Sequence, residues 1–250
     1  MRLVRYKIDG RTAFGVLTSE EIAELDGNLF GALRVSGKRY ARSGVKLLSP
    51  CNPGKVIAVG LNYRDHAAEL GFKVPAEPII FLKPSTTVIG PGDTIVYPVM
   101  SGQVDYEAEL GVIMKDRVKN IGPDESASHI LGYTCANDVT ARDLQKKDGQ
   151  WTRSKSFDTF CPIGPWIETD LNPNDLLIES YLNSERRQSS RTAQLIFSID
   201  YLISFISNIM TLFPGDLIIT GTPAGIGPMK PGDEIEIRIE GIGSLVNKVK

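Results

Sequence analysis

Acidic residues alternate with apolar ones along one β-like segment of this chain. The segment covers residues 104–114, and Asp105, Glu107 and Glu109 occupy every second position within it. Side chains at alternate positions of a strand share a face and lie about 6.6 Å apart along it. Carboxylates at that spacing repel one another, and a divalent cation between them would use their oxygens and remove the repulsion. The alternative is an acidic strand face exposed to solvent.

Two neighbouring features favour the cation. Residues 111–114, Gly-Val-Ile-Met, have the composition of a buried continuation of the strand, and an acidic cluster at 137–143 follows an apolar run at 130–135. Asp138 in that cluster would lie at a strand end, where a carboxylate can complete a metal site. Ligation by oxygen alone favours Mg²⁺, with Mn²⁺ and Ca²⁺ as alternatives, over zinc.

A repeated turn signal and a few helical patterns predict the elements that position these carboxylates. The tripeptide Pro-Gly-Asp precedes a β-like run three times, at 91–93, 214–216 and 231–233. Pro followed by Gly favours a type II turn, so short strands joined by tight turns are predicted. Apolar residues at helical spacing predict a helix over 199–210 with Ser198 as its N-cap, and a second short helix is predicted around 63–70. The predicted fold class is β-rich α+β.

The first part of the chain is predicted to form a unit of its own. Short apolar runs separated by turn signals indicate a small β-rich domain over residues 1–50. The sequence Cys-Asn-Pro-Gly at 51–54 is typical of a turn. It marks the predicted boundary with a larger, catalytic domain over 51–250.

Composition narrows the class of protein. Of the 250 residues, 42% are hydrophobic and 23% charged, as is usual for globular proteins. The net charge of -2 argues against non-specific nucleic-acid binding, which needs clustered Lys and Arg. The three cysteines lie far apart, so we expect no disulfide framework and a reducing compartment. Neither a signal peptide nor a membrane span is predicted, and we expect a cytoplasmic protein without membrane partners.

Six short motifs follow one another along the chain: GLNYRDHAAE (60–69), FLKPST (81–86), DYEAEL (105–110), NDVTARD (137–143), KSF (155–157) and GTPAGIG (221–227). With these motifs in this order, the chain from residue 51 onward resembles the fumarylacetoacetate hydrolase family. The resemblance is closest to its small members: acylpyruvases, oxaloacetate decarboxylases and 2-hydroxyhepta-2,4-diene-1,7-dioate isomerases. Together these motifs are specific for the family and much less specific for the reaction.

The resemblance implies a fold, a cofactor and an assembly. The fold is a mixed β-sandwich roll with few helices, and residues 1–50 resemble the short N-terminal extension of bacterial members. The cofactor is Mg²⁺ or a similar cation, held by Glu107, Glu109 and Asp138, with Asp105 outside the ligand set. The assembly is a homodimer.

His66 and Glu69 lie three residues apart on the predicted short helix and therefore share a face. On spacing alone, a pair on an exposed helix surface is the simpler interpretation. The resemblance makes the segment around 62–78 a lid and the pair a catalytic group that activates water. A carboxylate beside an imidazole raises its basicity and sets its tautomer, so that the imidazole can accept a proton.

Two lysines are further candidates. Lys155 would ordinarily be a surface charge, but the resemblance makes it a catalytic partner of the substrate carboxylate or of an enolate, whose charge an ammonium stabilises. Lys83 is flanked by Phe81, Leu82 and Pro84. It is either a surface charge at a strand end or a partly buried residue that binds substrate.

Three polar residues complete the predicted substrate site. Arg142 and Gln145 follow Asp138 by four and seven residues, so all three would share one face if that segment is helical. They either support the metal ligand or contact the substrate. Thr222 ends an apolar strand before a glycine-rich turn, where its hydroxyl could bind a carboxylate.

The sequence therefore predicts a metal-dependent enzyme that acts on small 2-oxo acids. A cation that stabilises a pyruvate enolate supports cleavage of a C–C bond, by acylpyruvate hydrolysis or oxaloacetate decarboxylation. The alternative is an isomerase or tautomerase of the 2-hydroxyhepta-2,4-diene-1,7-dioate type. A non-catalytic metal-binding protein on the same fold is a further alternative.

Overall fold

The computed structural model describes residues 1–71 and 73–250 of the chain, and β-strands dominate it. The helices are α1 (Arg64–Leu70), α2 (Arg142–Asp148), α3 (Thr152–Lys155) and α4 (Ile199–Ile209). The strands are β1 (Arg2–Ile8), β2 (Arg11–Leu17), β3 (Glu21–Asp26), β4 (Arg34–Ala41), β5 (Lys46–Leu47), β6 (Val56–Gly60), β7 (Ile79–Lys83), β8 (Val88–Ile89), β9 (Thr94–Ile95), β10 (Val104–Tyr106), β11 (Ala108–Met114), β12 (Ile130–Asn137), β13 (Thr140–Ala141), β14 (Cys161–Glu168), β15 (Leu177–Leu182), β16 (Glu185–Arg191), β17 (Leu217–Ile219), β18 (Gly227–Met229), β19 (Glu234–Ile239) and β20 (Gly243–Val249). The prediction of a β-rich α+β fold is confirmed.

The described strands form three sheets. The largest has the order β4-β3-β2-β1-β14-β12-β11-β17-β6-β7, and β5 and β8 pair with it at β1 and β14. A five-stranded sheet, β16-β15-β19-β20-β9, packs on β11, β12 and β14. Leu110, Val112, Ile178, Ile237 and Leu245 belong to the apolar core of this sandwich. The third sheet, β13-β10-β18, is small and lies beside the candidate site.

The alternation of acidic and apolar residues predicts one continuous strand over 104–114. The structure instead divides this segment into two strands, β10 and β11. β10 pairs with β13 and β18, whereas β11 pairs with β12 and β17 in the largest sheet, and Glu107 lies at the break between them. The alternative of an exposed acidic face is wrong as well, because all residues of β10 and β11 are buried. Each half of the segment belongs to a different sheet.

The helices and turns follow the sequence closely, with one exception. Helix α1 and helix α4 occupy the predicted segments, and the Ser198 side chain caps α4 by accepting a hydrogen bond from the Tyr201 N–H at 3.3 Å. Helix α2, however, begins only at Arg142. Asp138 lies before it, between β12 and β13, so the condition under which Asp138, Arg142 and Gln145 would share one helix face is not met.

The repeated Pro-Gly-Asp signal forms turns before strands, as predicted. Gly92, Gly215 and Gly232 have φ values of 74°, 84° and 99°, which the third position of a type II turn requires and glycine adopts without strain. Strands β9, β17 and β19 begin at the residue directly after the Asp of each turn.

Residues 1–50 contain strands β1 to β5. They extend the largest sheet, because Arg2 and Leu3 of β1 pair with Glu168 and Ile167 of β14. The domain boundary near residue 50 stays a prediction. Within the described residues, the helices are all too short or too polar to cross a membrane.

Strand β12 ends directly before Asp138, so its pairing with β14 positions this residue. Gly132 allows the two strands to approach closely. A Cβ at Gly132 would lie 2.5 Å from the Glu168 carbonyl oxygen and 2.6 Å from Cγ2 of Ile167. We expect Gly132→Ala to lower the free energy of unfolding by roughly 1–3 kcal/mol, as overpacking of a core does. Urea unfolding followed by tryptophan fluorescence measures this.

Gly122→Ala is the matched control for this prediction. Gly122 has a φ of -76°, and a Cβ there would meet only Oε2 of Glu125, at 3.5 Å. The control should stay within about 1 kcal/mol of the unsubstituted protein. Equal effects of the two substitutions would contradict the steric explanation.

Candidate active site

Three buried carboxylates converge at the junction of the sheets. One oxygen each of Glu107, Glu109 and Asp138 lies within 4.8 Å of the others, and each residue is at most 6% exposed. The register of β11 with β12 causes this, because Ala108, between the two glutamates, lies opposite Asn137, next to Asp138. The cluster was predicted, but its geometry depends on pairing between distant segments.

Two lysines point into this cluster from different elements. Nζ of Lys155, at the end of α3, donates to Oε2 of Glu107 at 2.8 Å and to Oδ2 of Asp138 at 2.6 Å. Nζ of Lys83, at the end of β7, forms an ion pair with Oδ1 of Asp138 and donates to the Val139 carbonyl at 3.3 Å. Both lysines are almost fully buried, so neither is the surface charge that its type alone suggests.

Arg142 bridges the cluster to its surroundings. Its Nε donates to Oδ2 of Asp105 at 2.8 Å, and a terminal nitrogen pairs with Oε1 of Glu107. Its other terminal nitrogen donates to Oε1 of Gln145 at 2.5 Å, which leaves the Gln145 amide nitrogen available for a ligand. Asp105 therefore orients Arg142 and lies outside the converging triad, as the resemblance implied.

Charge compensation within the triad is uneven. Although burial opposes it, the cations of Lys155 and Arg142 lower the pKa of Glu107 to about 2. Burial and the charges of Asp138 and Glu107 raise the pKa of Glu109 well above its ordinary value. Glu109 receives a hydrogen bond from the Gly221 N–H at 2.8 Å, but in the described part of the chain no ammonium or guanidinium forms an ion pair with it.

These residues fit a divalent cation. The donors are all oxygens, which suits Mg²⁺, Mn²⁺ or Ca²⁺. Four buried carboxylates, those of the triad and Asp105, face three cations: the buried Lys83 and Lys155 and the partly buried Arg142. The uncompensated Glu109 is the place where an additional positive charge is needed.

A cavity of about 390 Å³ opens above the triad, and such a volume suits a small molecule. Val59, Ile79, Phe81 and Trp151 provide its apolar wall. The rings of Phe81 and Trp151 meet edge to face with centroids 5.2 Å apart. Gly60 must lack a side chain because a Cβ there would lie 2.5 Å from the Trp151 ring.

His66 lines this cavity, and Glu69 stands behind it. Nδ1 of His66 lies 3.0 Å from Oε2 of Glu69, and Oε1 of Glu69 accepts the Gly225 N–H at 3.1 Å. In a neutral imidazole that donates its Nδ1 hydrogen to this carboxylate, Nε2 is the nitrogen with a free lone pair. The side chain of His66 is 8% exposed and that of Glu69 is 39% exposed, so the pair connects the cavity to solvent.

The structure brings most of the predicted site residues together. Eight line the cavity: His66, Glu107, Glu109, Asp138, Arg142, Gln145, Lys155 and Thr222. Glu69 contacts the cavity only through His66. Lys83 does not line it, because Asp138 covers its ammonium, so direct substrate binding by Lys83 is not supported and we assign it to holding Asp138.

Several residues of the site had no signal in the sequence. Gln188 and Trp151 lie outside the recognised motifs, and only the fold brings them to the cavity region. Lys73 lines the cavity from the segment between α1 and β7, inside the predicted lid, where its position could have been suspected. Phe72 of that predicted lid lies outside the described residues.

Comparison with known proteins agrees with this geometry. Residues 55–250 match the family model described as fumarylacetoacetate (FAA) hydrolase C-terminal. The chain belongs to this family. Residues 1–50 match a separate model, Rv2993c-like, N-terminal.

Three proteins that are similar to this chain have names that state a reaction. The crystal structure of 5-carboxymethyl-2-hydroxymuconate delta-isomerase from Mycobacterium smegmatis is 43% identical with a TM-score of 0.95, and the match covers 100% of this chain and 99% of that one. The 2-hydroxyhepta-2,4-diene-1,7-dioate isomerase from Mycobacterium marinum is 42% identical with a TM-score of 0.94, covering 100% and 98%. The mitochondrial oxaloacetate tautomerase Fahd2a of Rattus norvegicus is 43% identical over 83% of this chain and 70% of its own length.

Metal binding should depend on Glu109. A cation present at 100 times its Kd stabilises a protein by about 2.7 kcal/mol, which for a chain of this size corresponds to roughly 5–10 °C in Tm. We expect Mg²⁺ or Mn²⁺ to raise the Tm by this amount and Glu109→Gln to abolish the rise. Thermal unfolding with and without EDTA measures it.

Glu179→Gln is the matched control, because Glu179 is also a buried glutamate, hydrogen-bonded to Tyr181 at the far face of β15. This variant should keep the metal-induced rise in Tm. A full rise in Glu109→Gln would show that the triad is not the metal site.

Proposed function

We propose that this chain is a divalent-metal-dependent enzyme that moves a proton on small 2-oxo dicarboxylic acids through an enolate, as a tautomerase or isomerase does. One observation carries the proposal: a buried carboxylate triad with two donor cations, Lys155 and Arg142, forms the end of a small-molecule cavity lined by His66. A cation held by the triad would polarise the 2-oxo group and so stabilise the enolate.

The charges at the cavity end suit an anionic substrate. With all of them ionised, the four carboxylates and three cations sum to one negative charge. A divalent cation, which would favour the ionised form of Glu109, changes this sum to one positive charge. A carboxylate and a developing enolate oxygen are both negative and are attracted to such a site. Lys155 and Arg142 supply fixed hydrogen-bond donors there, and such donors need no reorganisation as charge develops.

His66 supplies the base for the proton transfer. Its Nε2 takes a proton from C3 of the 2-oxo acid, the C3–H electron pair forms the C2–C3 double bond, and the 2-oxo oxygen becomes the enolate. Return of the proton to that oxygen gives the enol, and return to a conjugated carbon gives an isomer. Glu69 accepts the Nδ1 hydrogen bond and stabilises the imidazolium that forms in between.

The relatives support this class of reaction. Two are named as isomerases and one as a tautomerase, and each name describes a proton shift. Cleavage of a C–C bond is the second candidate, since the same enolate is its leaving group. The solvent exposure of Glu69 favours it, because water could reach the His66–Glu69 pair and be deprotonated there.

Lys73 supports a dicarboxylic substrate. It lines the cavity with an exposed side chain, whereas Lys155 lies at the buried end. A substrate held by one carboxylate near the triad would extend towards the rim, where the Lys73 ammonium could pair with a second carboxylate.

Turnover of a small substrate panel tests the proposed function. We expect Mg²⁺-dependent enolisation of oxaloacetate or isomerisation of 2-hydroxyhepta-2,4-diene-1,7-dioate, followed by the change in enol absorbance, and loss of both with EDTA. His66→Gln should lower kcat by about 10²–10⁴-fold, the usual contribution of a general base, while the metal-induced rise in Tm persists.

His129→Gln is the matched control, because the other histidine of the chain pairs with Asp116 outside the cavity. It should leave kcat unchanged. Metal-dependent release of pyruvate from acetylpyruvate or fumarylpyruvate, without either proton shift, would favour the second candidate. Absence of metal-dependent turnover on all four compounds would reject both.

Lys73 should decide between dicarboxylic and monocarboxylic substrates. We expect Lys73→Met to lower kcat/KM for oxaloacetate roughly fivefold, equivalent to about 1 kcal/mol for an exposed ion pair, and to leave enolisation of acetylpyruvate unchanged. Lys230→Met, an exposed lysine away from the cavity, is the control. Equal loss with both compounds would contradict the selective role of Lys73.

A further inference from the structure

Gln188 connects two parts of the active site from below the cavity. It lies in β16 and is fully buried. Its Oε1 accepts the Ala108 N–H at 3.0 Å, and its Nε2 lies 2.8 Å from both Oγ1 of Thr222 and the Pro223 carbonyl oxygen. One amide therefore joins the backbone between Glu107 and Glu109 to the glycine-rich turn.

The backbone partners determine which way this amide points. The Ala108 N–H can only donate, so Oε1 must face it, and the Pro223 carbonyl can only accept, so Nε2 must face it. The orientation of the Gln188 amide is thus set without reference to Thr222. The second hydrogen on Nε2 is then donated to Oγ1 of Thr222.

This direction decides what Thr222 can offer to a ligand. A hydroxyl has one hydrogen and two lone pairs, and Gln188 Nε2 has no lone pair with which to receive that hydrogen. Oγ1 of Thr222 accepts from Gln188, and Thr222 lines the cavity. Its hydrogen is therefore left for an acceptor in the cavity, such as a carboxylate or carbonyl oxygen.

We propose that Gln188 is a positioning residue that makes Thr222 a hydrogen-bond donor to the carboxylate of the substrate. The proposal rests on the proposed function, since it assumes an anionic 2-oxo acid in the cavity. A donated hydrogen at this point suits a carboxylate, whose oxygens only accept and whose charge makes the hydrogen bond stronger than one to a neutral oxygen. Gln188 acts through Thr222 and does not touch the substrate.

A double-mutant cycle with oxalate, a non-reacting dicarboxylate, tests the proposal. Thr222→Val and Gln188→Met should each weaken oxalate inhibition and raise KM about tenfold, the usual size for loss of one hydrogen bond to a charged group, with kcat changed less than twofold. Thr222→Ser should behave like the unsubstituted protein. The double variant should match Thr222→Val alone, because Gln188 acts only through the hydroxyl.

Additive effects of the two substitutions would overturn the proposal. Gln188→Met also leaves the Ala108 N–H and the Pro223 carbonyl without this partner, so each variant must keep the metal-induced rise in Tm before its KM is compared. Gln188→Glu is the second variant, since its carboxylate would accept the Thr222 hydrogen and turn it away from the cavity. It should weaken oxalate binding at least as much as Gln188→Met, and unchanged binding would also overturn the proposal.

A crystal structure of the unsubstituted protein with oxalate avoids any question of folding. Oγ1 of Thr222 should lie within hydrogen-bond distance of an oxalate oxygen while the three hydrogen bonds of Gln188 persist. Oxalate bound without that contact would reject the role of Thr222. If oxalate binds through Thr222 and the substrate panel shows no turnover, the proposed function fails and the positioning role of Gln188 stands.

Discussion

Mutual repulsion among three buried carboxylates is the constraint around which this site is built. Glu107, Glu109 and Asp138 lie too close together, and too far from water, to carry their charges without help. Lys155 and Lys83 offset much of the cost. Buried ion pairs of this kind add little net stability, since desolvation cancels most of their attraction. The ion pairs of the two lysines involve Glu107 and Asp138. Among the described residues, the charge of Glu109 is therefore left without a cation beside it.

The break in the carboxylate segment is what allows the triad to converge. A continuous strand would keep Glu107 and Glu109 on one face at a fixed spacing, with their backbone groups paired to neighbouring strands. At the break, side chains take over this pairing: Oδ1 of Asn137 accepts the Glu107 N–H at 3.0 Å, and Gln188 accepts the Ala108 N–H. Both amides are buried, so at the break the backbone at the base of the site is held by side chains that water does not reach.

The rim of the cavity differs from this base. Its groups come from α1 and from the segment before β7, and the Glu69 side chain is linked to the glycine-rich turn through the Gly225 N–H. The same turn is held by Tyr106, whose hydroxyl donates to the Gly225 carbonyl at 3.1 Å. The base and the rim are built by different elements of one fold, and relatives that share this fold are named for different substrates.

Local patterns in the sequence were sufficient for much of the fold. The Pro-Gly-Asp turns, helix α4 with its Ser198 cap and the strand-rich class all depend on dihedral preferences and on side-chain periodicity over a few residues. The ordered motifs also identified the family and, with it, the triad. The alternation at 104–114 correctly indicated a cluster of carboxylates but wrongly indicated one continuous strand. Side-chain periodicity shows which residues share a face, and it does not show where the chain passes from one sheet to another.

By itself, then, the sequence determined the residue types of the site, the turns and the family. Only the tertiary structure decided that Lys83 lies behind Asp138, that Asp138 precedes helix α2, and that Gln188 reaches Thr222. The contacts of Lys83 with Asp138 and of Gln188 with Thr222 join residues 55 and 34 positions apart. They depend on sheet register and on the packing of one sheet on another. Sheet register and sheet packing cannot be predicted from a short stretch of sequence, because both arise from the burial of apolar surface over the whole chain.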